Sequence, residues 1–148
     1  MTDWRDQLSA AQRQALTRKT MPKWTEPMLA TLTDARFSAD DWIFERKLDG
    51  ERCLVFRRKS RLHILSRNRQ DLNDTYPELV RALSQEGPEH YIVDGEIVAF
   101  EGRRTSFSRL QGRIGIDDPD AARASGIKVY LYLFDLLYLD NADLTGLP

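Results

Sequence analysis

The stretch CLVFRRKSRLHILSR, residues 53–67, places an apolar run (Cys53 to Phe56) and an alternating one (Leu62, Ile64) on either side of Lys59-Ser60-Arg61. Two strand-like segments joined by a short polar turn read as an antiparallel hairpin. Upstream, WIFERK (42–47) is read as a further strand that ends on a lysine and meets an Asp49-Gly50 turn. Downstream, Pro77 suits the first turn of a helix with Leu79, Val80 and Leu83 on one face, ending before Gly87-Pro88. HYIVDGEIVAF (90–100) reads as a strand broken at Asp94-Gly95. Thr105 or Ser106 caps a short helix bearing Phe107, Leu110 and Ile114, and 117–124 forms another. KVYLYLFDLLYL (128–139) is the last strong strand. Hairpin signals mixed with helices, rather than strict alternation, favour an α+β fold of antiparallel sheets with flanking helices.

Residues 1–26 read as a polar helical lead-in, because Ser9 with Gln12 three positions later fits a capping box ahead of Ala10, Ala11, Ala15 and Leu16. Whether it docks is open at this stage. Pro22 and Pro27 bracket an extended segment, and residues 27–148 form the body, whose patterned core starts near Phe37. After the last strand a polar turn, 141–146, runs into Leu147-Pro148, an abrupt end that points to part of a larger domain.

Composition narrows the function classes. With 148 residues, 41% apolar and 30% charged, the chain has the balance of one globular domain. No apolar run approaches the roughly 18 residues of a spanning helix, and the start shows no secretory signal, so a cytoplasmic protein without a membrane partner is expected. Cys53 is the single cysteine and is expected to be a buried thiol; His63 and His90 have no neighbours at zinc-ligand spacing. The formal charge of -1 lacks the positive excess of a self-sufficient DNA binder. Positive charge is nevertheless clustered: Arg46, Lys47, Arg52, Arg57, Arg58, Lys59, Arg61, Arg67 and Arg69, which solvated hairpin edges would explain.

No glycine-rich phosphate cradle and no G-x-G-x-x-G occurs. What does occur, in order, is Lys47-Leu48-Asp49-Gly50, Ser66-Arg67-Asn68, Asp94-Gly95-Glu96 inside an apolar strand, and Phe134-Asp135-Leu136-Leu137-Tyr138. The first of these alone is an ordinary Asp-Gly hairpin turn. Together, from about Pro27 to Pro148, they resemble the covalent nucleotidyltransferase superfamily, and within it the adenylation domain of ATP-dependent DNA ligases. Glu-Pro-Met-Leu-Ala (26–30) and Phe-Asp-Leu-Leu-Tyr (134–138) are most similar to the ligase domain of bacterial end-joining ligases.

The resemblance implies a role for each matched residue. Lys47 is the nucleophile that takes AMP from ATP; since only a neutral amine attacks and lysine ordinarily titrates near roughly 10.4, neighbouring cations or desolvation must depress it. Arg52, Arg67 and bound Mg²⁺ or Mn²⁺ are the expected source of that field. Glu45, two residues before Lys47 and on the same strand face, accepts from the adenine amino group; Arg52 and Arg67 contact ribose and phosphate. Glu96 is assigned to metal or ribose, and a carboxylate between Ile92, Val93, Ile97 and Val98 is costly to bury unless it meets a metal, a ribose hydroxyl or an arginine. Phe134 stacks on adenine, although Tyr130, Tyr132, Phe134 and Tyr138 also form a stripe that a sheet core would use. For Asp94 the turn is the alternative to the site, and it is not counted among the site residues. A glutamate motif, a paired-lysine motif and the oligonucleotide-binding domain of the family have no counterpart here, so this chain, monomeric and near the nucleoid, is not expected to join strands alone. The implied partner is nicked or broken double-stranded DNA, in repair and recombination. The alternatives are an RNA-ligase or mRNA-capping nucleotidyltransferase, and a non-catalytic nucleic-acid-binding module.

Overall fold

Strands β2 (Glu51–Arg58) and β3 (Arg61–Ser66) form the expected hairpin, in register from Cys53 with Ser66 to Arg58 with Arg61. Lys59 takes the left-handed conformation at the tight turn (φ 55°). In the computed structural model, which describes residues 3–35, 37–85 and 87–147, this hairpin is one edge of a seven-stranded antiparallel sheet. The order is β1-β7-β6-β4-β2-β3, with β1 Thr17–Arg18, β4 His90–Glu101, β6 Val129–Leu139 and β7 Ala142–Asp143; β5 (Arg104–Thr105) pairs with the end of β4. Pro148, where the resemblance ends, lies outside the described residues.

The helices start where their caps are. Ser9 and Gln12 close a capping box on α1 (Ala10–Ala15), and Pro77 opens α2 (Pro77–Gln85). Ser106 and Asp118 accept backbone N–H groups at the starts of α3 (Phe107–Gln111) and α4 (Pro119–Ala124). The lead-in docks: Trp4 and Leu16 pack on the core, β1 pairs with β7, and Met21 is buried.

Period-two alternation gives the sheet two unlike faces. One carries Cys53, Val55, Ile64, Val93, Ile97 and Ala99, closed by Leu79 of α2 and Leu110 of α3 into the main core. Arg113, 1% exposed, lies under that layer and donates to the Thr75 and Ile127 carbonyls and to Glu78. A fully buried guanidinium is tolerated because its donors find acceptors. The opposite face carries Leu54, Phe56, Ile92 and Tyr138, covered by Met21 and Trp24.

Two expected elements differ. WIFERK is not a strand: residues 42–49 pair with nothing regular, and Trp42, Ile43 and Phe44 are exposed. β2 already has β3 and β4 on its two edges, so no free edge lies beside this segment on which to close a ladder. Nor does Asp94-Gly95 break β4. The strand runs on and pairs with β2 without a break from His90 to Ile97; the irregularities are two register shifts against β6, one between Ile92 and Val93 and one where Asp94 faces Asp135, Gly95 faces Leu133, and Phe134 is the extra residue.

Candidate active site

Residue Gly50 begins the site. A Cβ there would lie 2.1 Å from the Ile97 carbonyl oxygen, so only glycine lets the chain cross this close to β4 on its way into β2. Its N–H donates to Glu96 Oε1 at 2.8 Å. The Asp-Gly pair is therefore not a hairpin turn, since no strand precedes it; it is the point where the Lys47 segment is pinned to the sheet.

The residues on either side of this crossing share one hollow of about 540 Å³, lined by Ala30, Glu45, Arg46, Lys47, Leu48, Asp49, Gly50, Glu96 and Phe134. Thus Glu45, Lys47, Glu96 and Phe134, on three separated stretches of sequence, come together. Glu45 arrives without the strand that was expected to orient it, so the shared-strand-face argument for it does not hold. Phe134, displaced from the ladder by the bulge, is 41% exposed and faces the hollow rather than the core. Tyr138, further along the same stripe, is buried, so the stripe serves packing at one end and the site at the other.

Glu96 is half-buried, and that desolvation raises its carboxyl above the ordinary glutamate value; the Gly50 N–H and the charges of Arg52 and Lys47 oppose the shift. Arg52 pairs directly with Glu96 across the β2–β4 ladder, but its guanidinium is engaged elsewhere, donating Nε to Asp94 Oδ1 (3.0 Å) and Nη2 to Asp94 Oδ2 (2.7 Å). That fork pushes the Arg52 pKa still higher, with Glu96 and Asp135 adding to it. The guanidinium also sits 5.5 Å from the centre of the Phe134 ring, holding the aromatic from the side of the sheet.

Asp94 is what sequence reasoning missed. It is 2% exposed and serves Arg52, not a turn. A carboxylate next to glycine inside an apolar strand was the signal; its partner, 42 positions away, was not visible in linear order. Asp94→Ala is expected to lower stability by about 2 kcal/mol, less than the 3–5 of a wholly buried pair because Arg52 keeps some solvent. That is a fall in melting temperature of about 4–8 °C by calorimetry, and an unchanged value would refute the structural role.

Arg67 is not brought in. It is exposed in the turn after β3 and is not among the residues lining the hollow. With Arg52 neutralised by Asp94, the cationic field expected around Lys47 is not assembled from these two arginines; Arg46 is the cation that lines the hollow beside it. Cys53 is buried as expected, and its thiol is pushed up by desolvation. Among the described residues no group of three or more metal-ligating side chains occurs, and no helix is long and apolar enough to cross a membrane. A Mg²⁺ or Mn²⁺ ion still fits Glu96, because such ions take one or two carboxylates with substrate phosphates and water completing the shell.

Residues 27–148 match the family model described as the ATP dependent DNA ligase domain. The chain belongs to that family. Among curated relatives of this ligase domain, the multifunctional non-homologous end joining DNA repair protein LigD of Mycobacterium tuberculosis is 40% identical over 123 residues, covering 81% of this chain and 15% of that protein. DNA ligase 2 of Haloquadratum walsbyi is 33% identical over 129 residues, covering 83% of this chain and 21% of that protein. The crystal structure of the ligase domain from M. tuberculosis LigD matches with TM-score 0.56 and 35% identity, covering 70% of this chain and 31% of that one. Mycobacterial DNA ligase D complexed with ATP and MES matches with TM-score 0.53 and 33% identity over the same shares. The ligase domain described here therefore spans a fraction of each relative's length.

Proposed function

We propose that this chain supplies the nucleotide-accepting face of an ATP-dependent DNA ligase, with Lys47 as the residue that carries AMP. The observation that carries the reading is the single hollow shared by Glu45, Lys47, Glu96 and Phe134. Adenine stacks on Phe134 and offers its amino group to Glu45. Neutral Lys47 Nζ attacks the α-phosphorus of ATP, forming an N–P bond as the bond to pyrophosphate breaks; the amine loses a proton. An oxygen of a DNA 5′-phosphate then attacks the same phosphorus, releasing Lys47, and a 3′-hydroxyl finally displaces AMP to seal the strand. Mg²⁺ or Mn²⁺, held through Glu96 and the ATP phosphates, would supply charge neutralisation. The place of action is the bacterial cytoplasm, on nicked or broken duplex DNA.

Glu96→Gln tests the role of the carboxylate. The amide oxygen can still accept from Gly50 N–H, so stability is expected to change little, whereas uptake of labelled AMP is expected to fall on the order of 10–100-fold. Equal rates for the two proteins across a Mg²⁺ titration would remove Glu96 from metal binding. A covalent adduct from GTP and not ATP would replace the ligase reading with a capping one.

A further inference from the structure

The arginine-rich hairpin contributes only Arg52 to the surroundings of the Lys47 hollow. Its far end builds a second one. Phe56 pairs with His63 and Arg58 with Arg61, so all four project from the sheet face that carries Arg52 and Glu96. With Lys23 and Leu65 they line a hollow of about 370 Å³ that contains the cations Lys23, Arg58 and Arg61 and no carboxylate. Arg58 donates to the Met21 and Pro22 carbonyls, neutral partners that leave its charge uncompensated. Lys23 and Arg61 are exposed. Of the nearby carboxylates, Glu26 is paired with Arg69, and Asp71 meets the His63 ring, which is charged only when protonated, so one carboxylate at the rim stands against three cations. Trp24, stacked on Phe56 with ring centroids 5.9 Å apart, fixes the segment that presents Lys23. The near-neutral overall charge thus conceals a local positive surface.

The charge calls for an extended polyanion, and the distance from Arg52, which flanks the Lys47 hollow without lining it, to Arg58 in the second hollow sets the span that the ligand covers. Arg52 and Arg58 are six residues apart on one straight strand, about 20 Å at roughly 3.3 Å per residue. Duplex DNA covers that distance in about six base pairs. We propose that Lys23, Arg58 and Arg61 bind the phosphate backbone of duplex DNA about six base pairs from the strand end presented to Lys47, fixing the direction in which the duplex leaves the site. The proposal rests on the ligase reading above, and phosphate contacts of this kind position a duplex without reading its sequence.

The test is the salt dependence of binding of a short blunt-ended DNA duplex, followed by fluorescence anisotropy from low to moderate salt. Each phosphate that the protein ceases to neutralise lowers the slope of log affinity against log salt by about 0.9. The double variant Lys23→Gln, Arg61→Gln is expected to lower it by about 2, alike for unrelated sequences. The charge-matched control Arg81→Gln, Arg123→Gln, on the helices packed over the other sheet face, is expected to leave it unchanged. Equal slopes for the wild type and the first variant, an equal or larger loss in the control, or no duplex binding at low salt would each overturn the proposal. ATP binding by calorimetry is measured on the same proteins. Its presence with an unaltered slope rejects the surface and spares the ligase reading; its absence from the wild type at ATP concentrations well above the millimolar level rejects the proposed nucleotide site.

Discussion

Lys47→Ala is expected to reduce covalent labelling from α-phosphate-labelled ATP to background while leaving the fold intact. Alanine offers no nucleophile, and no other lysine lines the hollow among the described residues. Lys47 is exposed, in a segment without regular secondary structure, so the truncation removes little packing and is expected to change stability by about 0.5 kcal/mol or less. Lys47→Arg is expected to fail equally, because a guanidinium stays protonated and cannot attack phosphorus. The check is a denaturing gel of each protein after incubation with labelled ATP and Mg²⁺, beside a thermal melt. A labelled band in the Lys47→Ala protein would end the assignment, whichever residue carried the label.

The difference between what the sequence revealed and what it hid follows the range of the interactions. The β2–β3 hairpin and the capped helices rest on local contacts: apolar alternation, a two-residue turn, and Ser106 or Asp118 reaching a backbone N–H within three positions. Such features lie within a short window of sequence. Asp94 and Glu96 are both carboxylates in a mainly apolar strand, and the cost of burying them shows in linear order, whereas the partner that each meets does not. The 42–47 segment failed because strand formation is decided by an available edge, not by composition, and β2 had none left. Arg52 and Arg67 had equal claims in linear order. Only the pairing of β2 with β4, which sets Arg52 against Asp94 and leaves Arg67 in a turn, separates them. Gly50 and Gly95 share this property: each admits a neighbouring carbonyl, of Ile97 and of Tyr132, at a distance no Cβ permits.

The chain alone is expected to bind ATP weakly and to form its lysine–AMP adduct orders of magnitude more slowly than the ligase domain of M. tuberculosis LigD in the same assay. On the proposed reading base and sugar would have partners, since Glu45, Glu96 and Phe134 share the hollow. Some affinity therefore survives, near the millimolar level that corresponds to about -4 kcal/mol. The triphosphate would be worse served: Arg52 is held by Asp94, Arg67 lies outside the lining, and Lys47 is the proposed nucleophile, which leaves Arg46. The paired-lysine motif that the family resemblance assigns to the α-phosphate has no counterpart in these 148 residues. Alignment of a nucleophile with its target is worth roughly 7–11 kcal/mol when complete, so even partial loss of that grip lowers the rate by several powers of ten. Phe134 is 41% exposed and Lys47 is exposed, so the hollow is also open to water that a closed site would exclude. Intact-mass spectrometry after overnight incubation with ATP and Mg²⁺ reads the result directly. Adduct formation at a rate close to that of the mycobacterial domain would show that Glu45, Arg46, Glu96 and Phe134 suffice to orient the α-phosphate, and that the missing lysines act only after the AMP has been taken up.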